Sequence, residues 1–486
     1  MIRRPPRSTL SSSSAASDVY KRQDLYNLKL LELRQQYIIP QRQVVDHAEF
    51  EILQKEFKTP QEVTLACLEC HNKRHEEIMS SSHWNFERAA YIEGKGVSFL
   101  GKKNIINNFC TGASSNELAC MACHIGFGMT DDKFDFENAA NVDCMVCHDN
   151  SSEYFKGSGM AGYPDRTVNL NKVAQSVGRP KLTNCGACHF YGGGGNNVKH
   201  GHLEEALVDC SRDVDVHMAV NGVGLQCVDC HGSTNHQITG RLYSVSSENT
   251  NRLTCDKCHT NTPHLVNVLN RHTSKVACQT CHIPVYAKVN ATKMEWYWSK
   301  AGKLDENNNE IIITDSLGNP TYTSKKGEFV WEVNAVPDYL WFNGTADHYM
   351  LNDTIDSDVL YLNTLLGSYS DANSKIYPVK IHRGDQIYDV ENKTLIQPKL
   401  YSVHVGDSGY WKNFDWVLAA EAGMKRMGLP FSGKYDFVNT VMYWPVNHMV
   451  STKDKALSCA DCHTRDNGRL AGLNDFYLPG RDYVPA

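Results

Sequence analysis

The chain has no run of about 18 apolar residues, so nothing in it reads as a membrane-spanning helix. It has no basic tract either. Its 49 lysines and arginines stand against 55 acidic residues, a formal charge of −6, which speaks against nucleic acid as a partner. No segment recurs at a fixed period, which excludes a solenoid or a propeller. The first 23 residues, MIRRPPRSTLSSSSAASDVYKRQ, start basic but hold no apolar core of roughly 7–15 residues, so they do not form a secretory signal. They read as a translated sequencing adaptor, an artefactual, non-native N-terminus, and are set aside from the fold. Finally, no C-x-x-C pair lacks a histidine directly behind it, and C-x-x-C-K is absent.

Cysteine, by contrast, is abundant. Of 18 cysteines, all but Cys110 and Cys210 fall into eight C-x-x-C-H motifs. These are Cys67/Cys70/His71, Cys120/Cys123/His124, Cys144/Cys147/His148, Cys185/Cys188/His189, Cys227/Cys230/His231, Cys255/Cys258/His259, Cys278/Cys281/His282 and Cys459/Cys462/His463. Two thiols so spaced can add to the two vinyl groups of one haem, and the next residue then turns an imidazole nitrogen onto the iron. A zinc knuckle or a redox dithiol would suit one such motif. Eight copies, each with its histidine, point to eight covalently attached c-type haems. Such attachment belongs to the side of the membrane to which apo-cytochromes are exported, so a periplasmic or extracellular location is expected.

First-cysteine spacings of 53, 24, 41, 42, 28 and 23 residues across the first seven motifs leave segments too short for apolar cores of their own. The expected fold is mainly α with extensive irregular structure. It is a multihaem cytochrome c fold organised around eight haems, with small β elements in the C-terminal third. Residues 24–282 form a heptahaem region, opened by a helix at DLYNLKLLELRQQY. Residues 283–458 form a haem-free mixed α/β insert. There NEIIITD and GEFVWEV read as strands, and DSDVLYLNTLLGSY and GYWKNFDWVLAAEAGMKRMG as helices, the latter stopped by Gly428 and Pro430. Trp296, Trp298, Trp331, Trp341, Trp411 and Trp416 suit packing against haem edges and core. Residues 459–486 carry the eighth motif and the tail.

Each haem iron has a second axial position, and the motifs leave thirteen of the 21 histidines to fill it. A second imidazole on every iron suits electron transfer alone, whereas chemistry needs an exchangeable position. His217, His272 and His448 stand shortly before a motif, placed to cap a neighbouring haem. His83, His236 and His264 are further candidates. His200 and His202 supply one ligand between them, here taken as His202. His47, His75 and His348 read as surface residues.

After the fourth motif comes HFYGGGGNNVKHGH. Four consecutive glycines need a steric reason, and close backbone approach to a flat macrocycle is one. Lys199 follows. Composition makes it a surface lysine, although a buried, neutral amine can ligate iron.

Here the chain resembles the octahaem c-type cytochromes of the tetrathionate reductase type. The resemblance spans residues 60–470. It rests on eight motifs at this spacing, on FYGGGGNNVKHG, DVHMAVNGVGLQCVDCH, LNRHTSKVACQTCHIPVYA and VKIHRGDQIYD, and on the long gap before the last motif. It implies that Lys199 ligates the iron of the haem on Cys120/Cys123/His124, the reaction centre proposed for that family, with Cys110 close by. Cys110 is then a thiol able to engage a sulfur substrate; a buried free thiol or a disulfide with Cys210 are the alternatives. Asn196 departs from the family pattern, which has an acid three residues before the lysine, so a proton relay through that acid is lacking.

The expectation is an exported reductase of a small oxidised sulfur or nitrogen compound, of the tetrathionate, nitrite or hydroxylamine class. Lys199, Cys110, His124, Asn196 and His382 would form its centre. His382, Arg383 and Lys380 would hold an anion or pair with haem propionates. Electrons would come from a partner cytochrome or a quinol-linked membrane donor. The alternative is a pure electron conduit, as a carrier, a homo-oligomer or a filament subunit. Oxidation of hydroxylamine or hydrazine belongs to octahaem enzymes with a cross-linked tyrosine, and 23 tyrosines leave that open. The absence of C-x-x-C-K disfavours the pentahaem nitrite reductase pattern.

Overall fold

The computed structural model describes residues 13–38, 45–109, 112–240, 246–403 and 406–482. Cys110 and the first twelve residues of the N-terminal segment set aside above lie outside the described residues.

The motifs sit on short helices. Pro60–Cys70, Glu117–Cys120, Met145–His148, Leu182–His189, Cys227–Cys230, Cys278–His282 and Cys459–Cys462 are α-helical, and Cys255–Lys257 is a single 3-10 turn. One helical turn sets residues i and i+3 on one side, as two thiols sharing a haem require. Helices this short are marginal on their own and depend on capping and tertiary contact. Two of them are held by a carboxylate inside the motif: Asp229 and Asp461 accept from the backbone N–H of Gln226 and Ser458, each at 2.7 Å. The lead-in helix, Ser13–Tyr37, lies across the fifth and sixth motifs. There Arg34 donates to the carbonyls of Val220, Gly222 and Val223, and Tyr37 to that of Cys258.

The C-terminal third gathers most of its strands into one nine-stranded sheet, with Ala346–His348 and Asn363–Leu365 paired apart from it. Its order runs Val359–Tyr361, Tyr435–Pro445, Lys375–Asp389, Thr292–Tyr297, Gly327–Glu332, Pro320–Thr323, Ile312–Thr314, with Asp338–Phe342 and Thr394–Leu395 also pairing with Lys375–Asp389. The central strand Lys375–Asp389 runs antiparallel to Tyr435–Pro445, with Lys380 opposite Trp444 and His382 opposite Met442. It runs parallel to Thr292–Tyr297, with Gly384 opposite Trp296. The helix Trp416–Met427 covers the sheet with a face of Trp416, Ala419, Ala420, Gly423 and Met424, the spacing of one helical stripe. Asp415 caps its start by accepting from Leu418 N–H, and Gly428 ends it at φ 67°. Trp296 and Trp298 stack at 4.9 Å, and Tyr410 and Trp416 at 3.7 Å. Burying each such ring contributes about 2–3 kcal/mol.

This core also contains Phe109 and Val198, which flank Cys110 and Lys199 in sequence. The sheet therefore reaches the glycine-rich segment and supports it. One expectation is corrected: DSDVLYLNTLLGSY forms no helix but the strands Val359–Tyr361 and Asn363–Leu365. Its buried residues Leu360, Leu362 and Leu365 fit either period, and pairing of Leu360 with Thr440 in the sheet decides the outcome. Among the described residues no helix is long and apolar enough to cross a membrane.

Candidate functional site

Six motif histidines each face a second imidazole from elsewhere in the chain. The ring centroids lie 6.2 Å apart for His189 and His83, 6.5 Å for His148 and His236, and 6.2 Å for His259 and His217. They lie 6.2 Å apart for His231 and His448, 6.1 Å for His282 and His264, and 6.1 Å for His463 and His272. Two imidazoles bound to opposite sides of one metal by bonds of about 2.0 Å would have centroids about 6.3 Å apart. The ring spacings match that distance. Burial pushes His448 down to about 4 and His189 to about 3, so both are neutral, the form that binds a metal.

The motif thiols are also close to one another. Cys67 is hydrogen-bonded to Cys144, Cys123 to Cys188, Cys185 to Cys227 and Cys278 to Cys255. Cys147 lies near Cys185, Cys230 near Cys258 and Cys281 near Cys462. These contacts string the motifs in the order first, third, fourth, fifth, sixth, seventh, eighth, with the second branching from the fourth.

The second motif differs from those six. His124 is fully buried and ringed by Trp84, Phe86, Phe134 and Phe136, and among the described residues it faces no imidazole. Its Nε2 lies 2.6 Å from the Trp84 carbonyl oxygen, and its Nδ1 has no partner. Burial pushes it down to about 4. The segment after it is fixed by a buried ion pair of Lys156 and Asp143 at 3.0 Å, Lys156 also donating to the His124 carbonyl. Cys123 lies against Cys188, with Lys102, Lys156 and Lys199 around it. Lys199 thus lies beside this motif, with its Nζ 4.6 Å from the Trp444 ring centre.

The glycine-rich loop is pressed against its own surroundings. Gly193 adopts φ +84°, and a Cβ there would lie 3.0 Å from Phe109 Cβ, so only glycine fits without a shift. Lys380 reaches up from the sheet and donates to the carbonyls of Val198 at 2.9 Å and Lys199 at 3.1 Å, and to Thr292 Oγ1 at 2.7 Å. Beside it, His382 is wholly buried, 4.1 Å from the Phe109 ring, with neither ring nitrogen hydrogen-bonded. Burial drives both Lys380 and His382 far down from their usual values. Lys293 adds a further buried lysine, its pKa also driven well down by burial, 3.4 Å from the Phe329 centroid and 3.8 Å from that of Trp296. Its signal was a lysine at an inward position of an aromatic strand, TKMEWY.

Other expected residues fall as follows. His202 faces no motif histidine; its ring stacks on His448 at 5.2 Å and meets His200 edge-on at 5.6 Å. Asn196 Oδ1 accepts from the Glu205 N–H at 2.9 Å, a loop contact. Cys210 is a buried free thiol. His348, expected at the surface, is fully buried because its strand turns it into the core. His47 and His75 are half-buried rather than exposed, each with an unpartnered Nδ1. After burial itself, His47 is the first group to lower the pKa of His71, so it lies beside the first motif.

A family described as "Cytochrome c bacterial" matches residues 293–466, and one described as "Cytochrome c554 and c-prime" matches residues 66–149. Among solved structures, the octaheme cytochrome c from Shewanella oneidensis is 43% identical, with a TM-score of 0.81, covering 87% of this chain and 94% of that one. An uncharacterised protein from Archaeoglobus fulgidus is 25% identical over 246 residues, 40% of this chain and 80% of that protein.

Proposed function

The chain belongs to the octahaem c-type cytochromes, redox proteins carrying eight c-type haems, and from that premise we propose that it reduces a small oxidised sulfur or nitrogen compound at the second motif. The observation that carries this reading is His124, the buried motif histidine that faces aromatic rings instead of a second imidazole. Bound haems supply single electrons and, at the second motif, an iron that can act as a Lewis acid.

The chain's own residues would do the rest. Lys199 would hold the iron at the second motif as an exchangeable or spectator ligand. Cys110 would stand by as a nucleophile or hydrogen-bonding group. Lys380 holds the Lys199 backbone in place, and Lys293 and His382, buried near it, would offer nitrogen groups to an oxyanion such as tetrathionate or nitrite. His71, His148, His189, His231, His259, His282 and His463 would each share an iron with a distal histidine: His47, His236, His83, His448, His217, His264 and His272 respectively. With no acid at position 196, protons for turnover would come by another route. A periplasmic or extracellular site of action, with a partner cytochrome or a quinol-linked donor, completes the reading.

The continuous line of motif thiols favours a second reading, an electron conduit without a reaction centre. Ligand exchange separates the two. Cyanide or hydroxylamine added to the oxidised protein is expected to change the spectrum of one haem in eight, and faster in Lys199→Ala. Eight unresponsive haems would leave only the conduit.

A further inference from the structure

Six of the twelve paired imidazoles described above hand their second ring nitrogen to an oxygen. The Nδ1 atoms of His148, His231, His272 and His463 lie 2.7–2.8 Å from the carbonyl oxygens of Gly178, Thr239, Val268 and Pro479. His264 Nδ1 lies 3.3 Å from Asn270 Oδ1, and His236 Nδ1 lies 2.8 Å from a Glu77 carboxylate oxygen. His448 is different. Its Nδ1 lies 3.0 Å from Nδ1 of another imidazole, His202, with the two rings 16° from parallel.

The proton between them can be placed. His231 spends its Nδ1 on Thr239 and His448 spends its own on His202, so both present Nε2 to the gap between their rings. A ligating Nε2 carries no hydrogen, so the hydrogen of neutral His448 sits on Nδ1, and His202 Nδ1 accepts it. His202 must then carry its own hydrogen on Nε2. That ring is only 3% exposed, and besides His448 it meets the backbone of Pro445. His202 is thus a buried, neutral imidazole whose Nδ1 is the acceptor that His448 meets.

Building on the reading that His231 and His448 share one iron, we infer that His202 is the positioning residue that fixes the tautomer of His448 and lowers the potential of the haem on Cys227/Cys230. An imidazole nitrogen is a stronger base than a carbonyl oxygen. It draws the His448 hydrogen further, leaves that ring with more imidazolate character and favours ferric iron. The consequence follows from position. Cys227 touches Cys185 of the fourth motif, and the fourth touches the second through Cys188 and Cys123. A low-potential haem at the fifth motif passes electrons downhill toward the second.

The test is a spectropotentiometric titration of the holoprotein and of His202→Ala, His202→Asn and His448→Ala, with electron paramagnetic resonance to count low-spin haems. Asn places Oδ1 close to the position of the lost Nδ1 and guards against a variant that fails to fold. The expected result is an upward shift of one haem in His202→Ala, partly reversed in His202→Asn, with all haems still low-spin. Unshifted potentials in both His202 variants, while His448→Ala turns one haem high-spin, overturn the role of His202 alone. A His448→Ala protein whose haems all stay low-spin overturns the assignment of His448 as ligand, and the inference with it.

Discussion

Lys380 Nζ donates to the backbone oxygen of Lys199 at 3.1 Å, so one buried lysine, carried on the central strand of the sheet, holds the main chain of another. The same amine binds the Val198 carbonyl and Thr292 Oγ1, and Thr292 Oγ1 in turn donates to the Asn197 carbonyl. No carboxylate pairs with Lys380 in these contacts; three neutral oxygens hold it. Lys380→Met keeps the length of the chain and removes the donor. It is expected to destabilise the protein by about 2–4 kcal/mol, because buried acceptors are left unsatisfied. It should also speed cyanide binding at one haem, since the Lys199 loop loses its tether. Denaturant unfolding and stopped-flow spectra check the two effects separately.

His47 and His75 offer a sharper comparison, because both are half-buried and only His47 lowers the pKa of His71. His47→Ala is expected to convert one haem from low-spin to high-spin in the oxidised protein. His75→Ala should leave the count of low-spin haems unchanged. Electron paramagnetic resonance at low temperature reads both, and the reverse pattern would move the first haem's distal position to His75.

Sequence and structure divide this protein along a physical line. The covalent chemistry is local: C-x-x-C-H places its three reactive groups within five residues, so eight haems and the short helices beneath them are legible without a fold. The distal ring that meets each motif is set by tertiary contact. His448 faces His231 and leans on His202, 246 residues away from it, and no periodicity encodes that. Likewise, the apolar residues at 360, 362 and 365 fit a helix until the pairing of Leu360 with Thr440 makes them strand. The helix Trp416–Met427 was legible from its stripe and its glycine stop, because both signals lie inside it.

The eighth motif gives a local prediction. Asp461 Oδ2 accepts from both the N–H and the hydroxyl of Ser458, each at 2.7 Å, and closes the single turn Cys459–Cys462. Asp461→Ala removes this cap and is expected to cost about 1 kcal/mol. The loss should be confined to that turn. Hydrogen exchange of residues 458–463 is expected to quicken while the sheet amides stay unchanged.

His348 carries the pH dependence that can be assigned to a group outside the haem sites. It is fully buried, both of its ring nitrogens lack partners, and desolvation, with Lys95 and Arg88 adding, pushes its pKa down to about 4. The unfolded chain returns it to about 6.5. Between these values the unfolded state binds a proton that the folded state refuses, so stability falls as the pH is lowered through this window. The contribution is about 1.4 kcal/mol per pH unit from about 6.5 down to about 4, and it is complete above the upper limit. His348→Leu fills a similar volume and keeps the backbone oxygen to which Lys95 donates. The variant is expected to match the wild type closely near neutral pH and to unfold at a lower pH in an acid titration followed by circular dichroism. An acid midpoint that does not move would mean that His348 is protonated in the folded protein, with a partner for its charge.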